Sequence, residues 1–185
     1  MKQYIAHLQS ITPYSQGRNH NTPRERESDD AYAERTALQR MHTSMGKIVI
    51  PPMAFHLCLQ ETASYIKMKI KGQGTSTYTK NFIRGLLFNE PVILDKTLED
   101  CRIEKVFVPA QPNKPGSRVW KYYPVLDTWE AMVPFIVVDE LLTKEILKRH
   151  WEMAGVITGI GVWRPINRGL WGKFKLLALE EVEEM

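Results

Sequence analysis

Apolar and polar residues alternate along "QYIAHLQSI", residues 3–11, with the two-residue period of a strand that buries one face. The pattern then stops. Residues 12–46, "TPYSQGRNHNTPRERESDDAYAERTALQRMHTSMG", are polar with few aliphatic side chains, too few to bury much surface alone, and predict an arm-like insert that is mobile or binds a partner. Apolar residues return in "KIVIPP", a short strand whose Pro51-Pro52 pair suits the first turn of a helix. "MAFHLCLQETASYIKMKI" (53–70) carries Phe55, Leu59, Thr62, Ala63 and Ile66 near helical spacing and predicts that helix.

Gly72 and Gly74 end it, and after "TSTYTKNFIRG" the run "LLFNEPVIL" (86–94) reads as a strand. "IEKVFVPA" follows, closed by Pro109. The loop residues "QPNKPGS" between "KVFV" and "RVWKYYPVL" then predict a hairpin inserted over 105–126. "WEAMVPFIVVD" is an apolar strand in which Pro134 favours an edge or a bulge. Thr143 is placed to cap "KEILKRHWEMA", whose Leu147, Trp151 and Ala154 form an i, i+4, i+7 stripe ending at Gly155 as C-terminal cap, and "WGKFKLLALEEV" (171–182) is a last strand. This order predicts a single α+β domain over 1–185, a β-α-β-β-α-β ferredoxin-like core with an added arm (12–46) and hairpin.

Composition narrows the setting. The chain has 185 residues, 43% of them hydrophobic, enough for a real core, while its longest apolar runs are far short of a membrane span. The N-terminus lacks the apolar stretch of a signal peptide, so the expectation is a cytoplasmic protein with no membrane partner. Cys58 and Cys101 have no C-x-x-C spacing, which supports neither a disulfide framework nor a zinc site, and no cofactor is expected. The net charge of +4 hides a segregation of acids. No Asp or Glu occurs over 62–89, which holds Lys67, Lys69, Lys71, Lys80 and Arg84; none over 105–126, with Lys114, Arg118 and Lys121; and none over 153–179, with Arg164, Arg168, Lys173 and Lys175. Brought onto one face, these stretches would attract a polyanion.

Two segments carry candidate chemistry. "GIGVWRPINRGLWGKFKL" (159–176) joins the second helix to the last strand. Gly159, Gly161, Gly169 and Gly172 would let backbone amides approach phosphates, Arg164, Arg168 and Lys173 would add charge, and Trp163 would stack on a base. The rival reading is a glycine-rich hairpin whose tryptophans fill the core. "YIKMKIKGQGTSTYTKNFIRG" (65–85) combines its cations with Gly72, Gly74, four hydroxyls at Thr75, Ser76, Thr77 and Thr79, and Tyr78 as a second stacking candidate. Its rival is a lysine-rich helix end favoured by the helix dipole, followed by an ordinary polar loop. Glycine loops with interspersed aromatics, and no helix-turn-helix, favour single-stranded RNA or DNA over duplex.

A glycine-rich loop before the last strand of a ferredoxin-like fold resembles the signature of the RAMP superfamily of CRISPR RNA-binding proteins, over the last forty residues or so. Along nearly its full length the chain is similar to a group of bacteriophage and prophage proteins, through "PYSQ", "ERT", "VIPP", "KGQGTSTYTK" and the G-x-G-x-x-R-P to G-x-F tail. The first resemblance implies that the loop holds the backbone of a single strand and that inserts lie over neighbouring protomers, so copies self-associate along RNA or DNA. The acidic end, Glu180, Glu181, Glu183 and Glu184, would meet a neighbour's basic groove or be a solvated tail. The second resemblance implies work in a bacterial host cytoplasm: replication, recombination, or counter-defence as an anti-CRISPR that mimics or binds a host CRISPR effector protein. Pro165 departs from the RAMP loop pattern by fixing the backbone there.

A metal-independent ribonuclease is the third function considered. It needs a histidine beside the bound backbone; His20, His42, His56 and His150 are the interior ones, and His42 is the candidate because His56 and His150 lie on expected helices. Asp29-Asp30 read as part of a charge-balanced segment rather than metal ligands. The absence of Walker, G-x-S-x-G and H-E-x-x-H motifs argues against the common NTPases, serine hydrolases and zinc proteases.

Overall fold

The alternating N-terminal run forms strand β1 (Lys2–Ser10), with Tyr4, Ala6 and Leu8 buried on one face. In chain order there follow β2 (Tyr14–Ser15), helix α1 (Asp29–Arg35), β3 (Thr43–Ser44), β4 (Lys47–Ile50), α2 (Pro52–Ile66), α3 (Thr79–Arg84), β5 (Leu86–Leu87), β6 (Val92–Ile93), β7 (Cys101–Pro109), β8 (Arg118–Leu126), β9 (Glu130–Val137), α4 (Lys144–Met153) and β10 (Phe174–Val182). The computed structural model describes residues 1–109 and 116–182, so the hairpin tip with Lys114, and Glu183 and Glu184, lie outside the described residues. The fold is α+β with antiparallel sheets. Among the described residues no helix is long and apolar enough to cross a membrane.

The main sheet has four strands in the order β10-β1-β9-β5. Its inner face, with Tyr4, Val133, Phe135 and Phe174, packs against α2 and α4 around Trp151, which is fully buried beside the rings of Phe55, Phe135 and Phe174. Two further sheets, β2-β8-β7 and β3-β4-β6, flank it.

Several expectations change, each for a local reason. The helix expected over 53–70 stops at Ile66 because Lys67 takes a left-handed conformation (φ 47) and its N–H returns to the Ala63 carbonyl. The single strand expected over 86–94 is two short ones, with β5 in the main sheet and β6 on β4, separated around Asn89-Glu90-Pro91 where proline cannot donate to a ladder. Pro134 lies in an inner strand opposite Ile5 on β1; it is tolerated because β5 pairs only with Ile136 and Val137, so that side of β9 is open at Pro134. Gly155 does not cap α4. The chain continues as a π-helical turn, Ala154–Thr158, and stops at Gly159 (φ 67). Gly155 is there for space: a Cβ on it would lie 1.9 Å from the Phe174 carbonyl oxygen.

The segment 12–46 does not extend as an arm. Tyr14 and Ser15 pair with β8, the buried Gln16 donates to the Val49 carbonyl (2.8 Å) and accepts from the His42 N–H (2.6 Å), and Tyr122 on β8 donates to Asp30 at the start of α1 (2.9 Å). The polar residues missing from a core thus serve as ties onto β8 and β4.

Candidate nucleic-acid interface

Beyond α2 the chain makes a tight hairpin over 68–78. Met68 and Tyr78 pair through Tyr78 N–H to the Met68 carbonyl (3.1 Å), Ile70 N–H reaches the Ser76 carbonyl (2.9 Å), and Lys69 bridges Thr77. The two-residue alternation turns Ile70 inward and Lys69 and Lys71 outward, Tyr78 is buried on the second arm, and Thr75 and Ser76 beside the tip are exposed. Gly72 (φ 80) and Gly74 (φ 60) form the tip, and a Cβ on either would meet no atom within 4 Å. These glycines serve backbone conformation and leave the surface around them open.

A cleft of about 490 Å³ lies where this hairpin meets the end of α2, lined by Ser64, Lys67, Thr75, Ser76, Thr77, Thr79 and Lys80, with no carboxylate. Thr79 donates to the Ala63 carbonyl at the α2 terminus (3.1 Å) and accepts from Thr77 (3.2 Å), which ties the hydroxyl row to the helix end. Lys67, Lys69, Lys71, Lys80 and Arg84 are all exposed and, among the described residues, none has an ion-pair partner. Such a surface offers cations and hydroxyls at the same place, the groups that bind phosphate oxygens without reading sequence. Tyr78 is a correction: only 8% exposed, with its ring edge on His150, it supports the hairpin from beneath and offers no face to a base.

The 159–172 loop is built the opposite way. A Cβ on Gly169 would lie 1.7 Å from the Trp163 carbonyl oxygen, on Gly172 1.8 Å from that of Ile160, on Gly161 2.3 Å from that of Ser15, and on Gly159 2.6 Å from Pro165. Its amides are largely spent inside: Ile160 donates to Gly172, Val162 to Ser15, Gly169 to Arg164, Trp171 to Trp163 and Gly172 to Pro13. The glycines allow close backbone-to-backbone contact, which corrects the expectation of a phosphate cradle. Arg164 is corrected too, since its guanidinium grips Glu61 on α2 with two prongs, Nη2 to Oε1 at 3.0 Å and Nη1 to Oε2 at 2.7 Å. Arg168 (φ 64) is exposed and Lys173 half-buried, and among the described residues neither is ion-paired. Arg118 and Lys121 are exposed on β8, where Arg118 stacks over Phe107.

No protein-family model matches the chain, and no curated protein matches its sequence.

The tryptophans of the loop flank Tyr123 of β8, each edge-on with ring centroids 5.9 Å away, and are half-buried, so they do not fill the core. Trp163 is held at φ 56, a left-handed conformation that costs a bulky residue on the order of 1–3 kcal/mol. Beside it a cleft of about 430 Å³ is lined by Tyr123, Trp163, Arg164, Asn167, Gly161, Val162 and, from α2, Ala54 and Leu57. A second exposed aromatic pair, Phe107 and Trp120 (centroids 4.7 Å apart), faces solvent on the β7–β8 hairpin.

Sequence reasoning missed Ser64, Tyr123 and the Phe107–Trp120 pair. The last was legible, since equal steps outward from the turn set Phe107 opposite Trp120. Ser64 falls one helical turn from Lys67, but Tyr123 meets Trp163 only through the fold.

Burial sets the protonation state of the shifted histidines and cysteines. Burial and nearby Arg18 hold the His42 imidazole below its ordinary range, leaving it neutral at pH 7. His150 is fully buried, its Nδ1 2.7 Å from the Ile146 carbonyl and its ring tilted 30° against Phe82, and burial lowers its pKa as well. Burial pushes the Cys101 thiol up to about 11 and the Cys58 thiol further, so both are protonated. Among the described residues no group of three or more His, Cys, Asp or Glu is placed to hold a metal ion.

Proposed function

We propose that the protein binds single-stranded nucleic acid, holding the phosphates at the hairpin 68–78 and the end of α2. One observation carries this reading: a carboxylate-free cleft lined by five hydroxyls and two lysines that have no ion-pair partner among the described residues, beside the hairpin that carries Lys69 and Lys71. The underlying fold is read as a β-α-β-β-α-β ferredoxin-like core made of β1, α2, β5, β9, α4 and β10. The sheet order, in which the last core strand lies beside the first, then the third and the second, supports it. The remaining segments are additions to that core. Self-association along the strand is part of the proposal, supported by Leu87 and Met132, 43% and 58% exposed on the face of the sheet away from the helices.

The test is purification at low and high salt, with the absorbance ratio at 260 and 280 nm and the size before and after nuclease, followed by titration of labelled oligonucleotides across a salt series. Co-purifying nucleic acid and an affinity that falls steeply with salt are expected. A protein that binds neither RNA nor DNA at low salt refutes the reading.

A further inference from the structure

Leu57, Glu61 and Ser64 stand at i, i+4 and i+7 on α2 and form one stripe of that helix. Leu57 lines the Tyr123–Trp163 cleft, Glu61 anchors Arg164, and Ser64 lines the lysine and hydroxyl cleft. At 1.5 Å rise per residue the two clefts lie about 10 Å apart along the helix, roughly three stacked nucleotides at 3.4 Å each.

The first cleft differs in character from the second. Two aromatic rings meet there at 81°, aliphatic side chains of Leu57 and Val162 form further wall, and Asn167 is exposed at the rim with both a donor and an acceptor. Its volume of about 430 Å³ admits one planar ring system with room for its sugar. Trp163 forms its wall at a backbone cost. The bond from Trp171 N–H to the Trp163 carbonyl (2.9 Å) and the tight approach of Gly169 hold it in its left-handed conformation, while the Arg164–Glu61 pair pins the next residue to α2. A strained aromatic, locked from three sides yet left half-open, marks a group positioned for contact rather than for packing.

We infer that the Tyr123–Trp163 cleft receives one unpaired base of the strand whose phosphates occupy the lysine and hydroxyl cleft; this rests on the nucleic-acid reading above. The base stacks on an aromatic ring and meets Asn167 with its edge, while the phosphates that follow run along α2 to Lys67 and Lys80.

The experiment compares an oligothymidylate of about 12 nucleotides with an abasic strand of the same length, in fluorescence anisotropy titrations. Trp163→Gly is the main variant, because glycine adopts the left-handed conformation freely and removes only the ring; Tyr123→Leu is the second, and unchanged thermal unfolding qualifies each. The expected result is about a tenfold loss of affinity for the base-bearing strand in both variants with no change for the abasic one. Equal losses for both strands, or no loss for either, overturn the base pocket while leaving the phosphate contacts standing. Wild-type protein that binds neither strand overturns the nucleic-acid reading and the pocket with it.

Discussion

Two glycine-bearing segments of this chain look alike on paper and are opposites in space. In 68–78 the glycines stand at a tip with no atom near, and the cations around them have no ion-pair partners among the described residues. In 159–172 the glycines press against their own chain, mostly its carbonyl oxygens, and Arg164, one of the two arginines between them, is locked to Glu61. Glycine serves two needs, a backbone angle or an absent side chain. Only the first leaves the backbone beside the glycine open to a phosphate.

The widest separation is expected from alanine at Gly169, where the new Cβ collides with the Trp163 carbonyl. Gly169→Ala should cost about 3 kcal/mol in denaturant unfolding, as other overpacked sites do. A loss under about 1 kcal/mol would show that the loop yields. Next in size, Lys67→Ala with Lys80→Ala should weaken single-strand binding about tenfold and flatten its salt dependence, as lost phosphate contacts do, without changing stability. Arg164→Ala should act on stability as well, lowering it by about 1–2 kcal/mol as its part-buried pair with Glu61 breaks.

The hairpin's footing should also respond to acid. His150, under Tyr78, has its pKa lowered by burial, so as pH falls through the ordinary imidazole value near 6.5 the unfolded chain takes up a proton before the folded one does. Stability is full above that value and declines below it until the folded state's own pKa is reached. His42 and His56 shift the same way, so His150→Phe should reduce the drop in Tm between pH 7 and pH 5 without abolishing it; an unchanged slope would remove His150 from the account. The smallest effect is expected at Gly72→Ala, about 1 kcal/mol, from the left-handed angle alone.

Much of the scaffold was readable in one dimension. Alternation marked β1, Thr143 does accept the Ile146 N–H at the start of α4 (3.5 Å), and the turn residues after Pro109 located the β7–β8 hairpin. The 68–78 cluster was legible as well, because its cations, hydroxyls and glycines are neighbours in sequence and fold on one another. What went astray needed a partner from far along the chain: Arg164 meets Glu61 across 103 positions, and 12–46 is tied down by Tyr14 and Ser15 pairing with β8, by Gln16 on Val49 and by Tyr122 on Asp30.

The sequence by itself therefore determined the core elements, the segregation of charge, and the composition of the basic hairpin, all of which follow from local periodicity and adjacency. Tertiary structure alone decided which glycines face open space, which cations keep their charge free, and that Tyr123 meets Trp163. Those properties depend on what the fold brings within a few ångströms, and residue type carries no record of it.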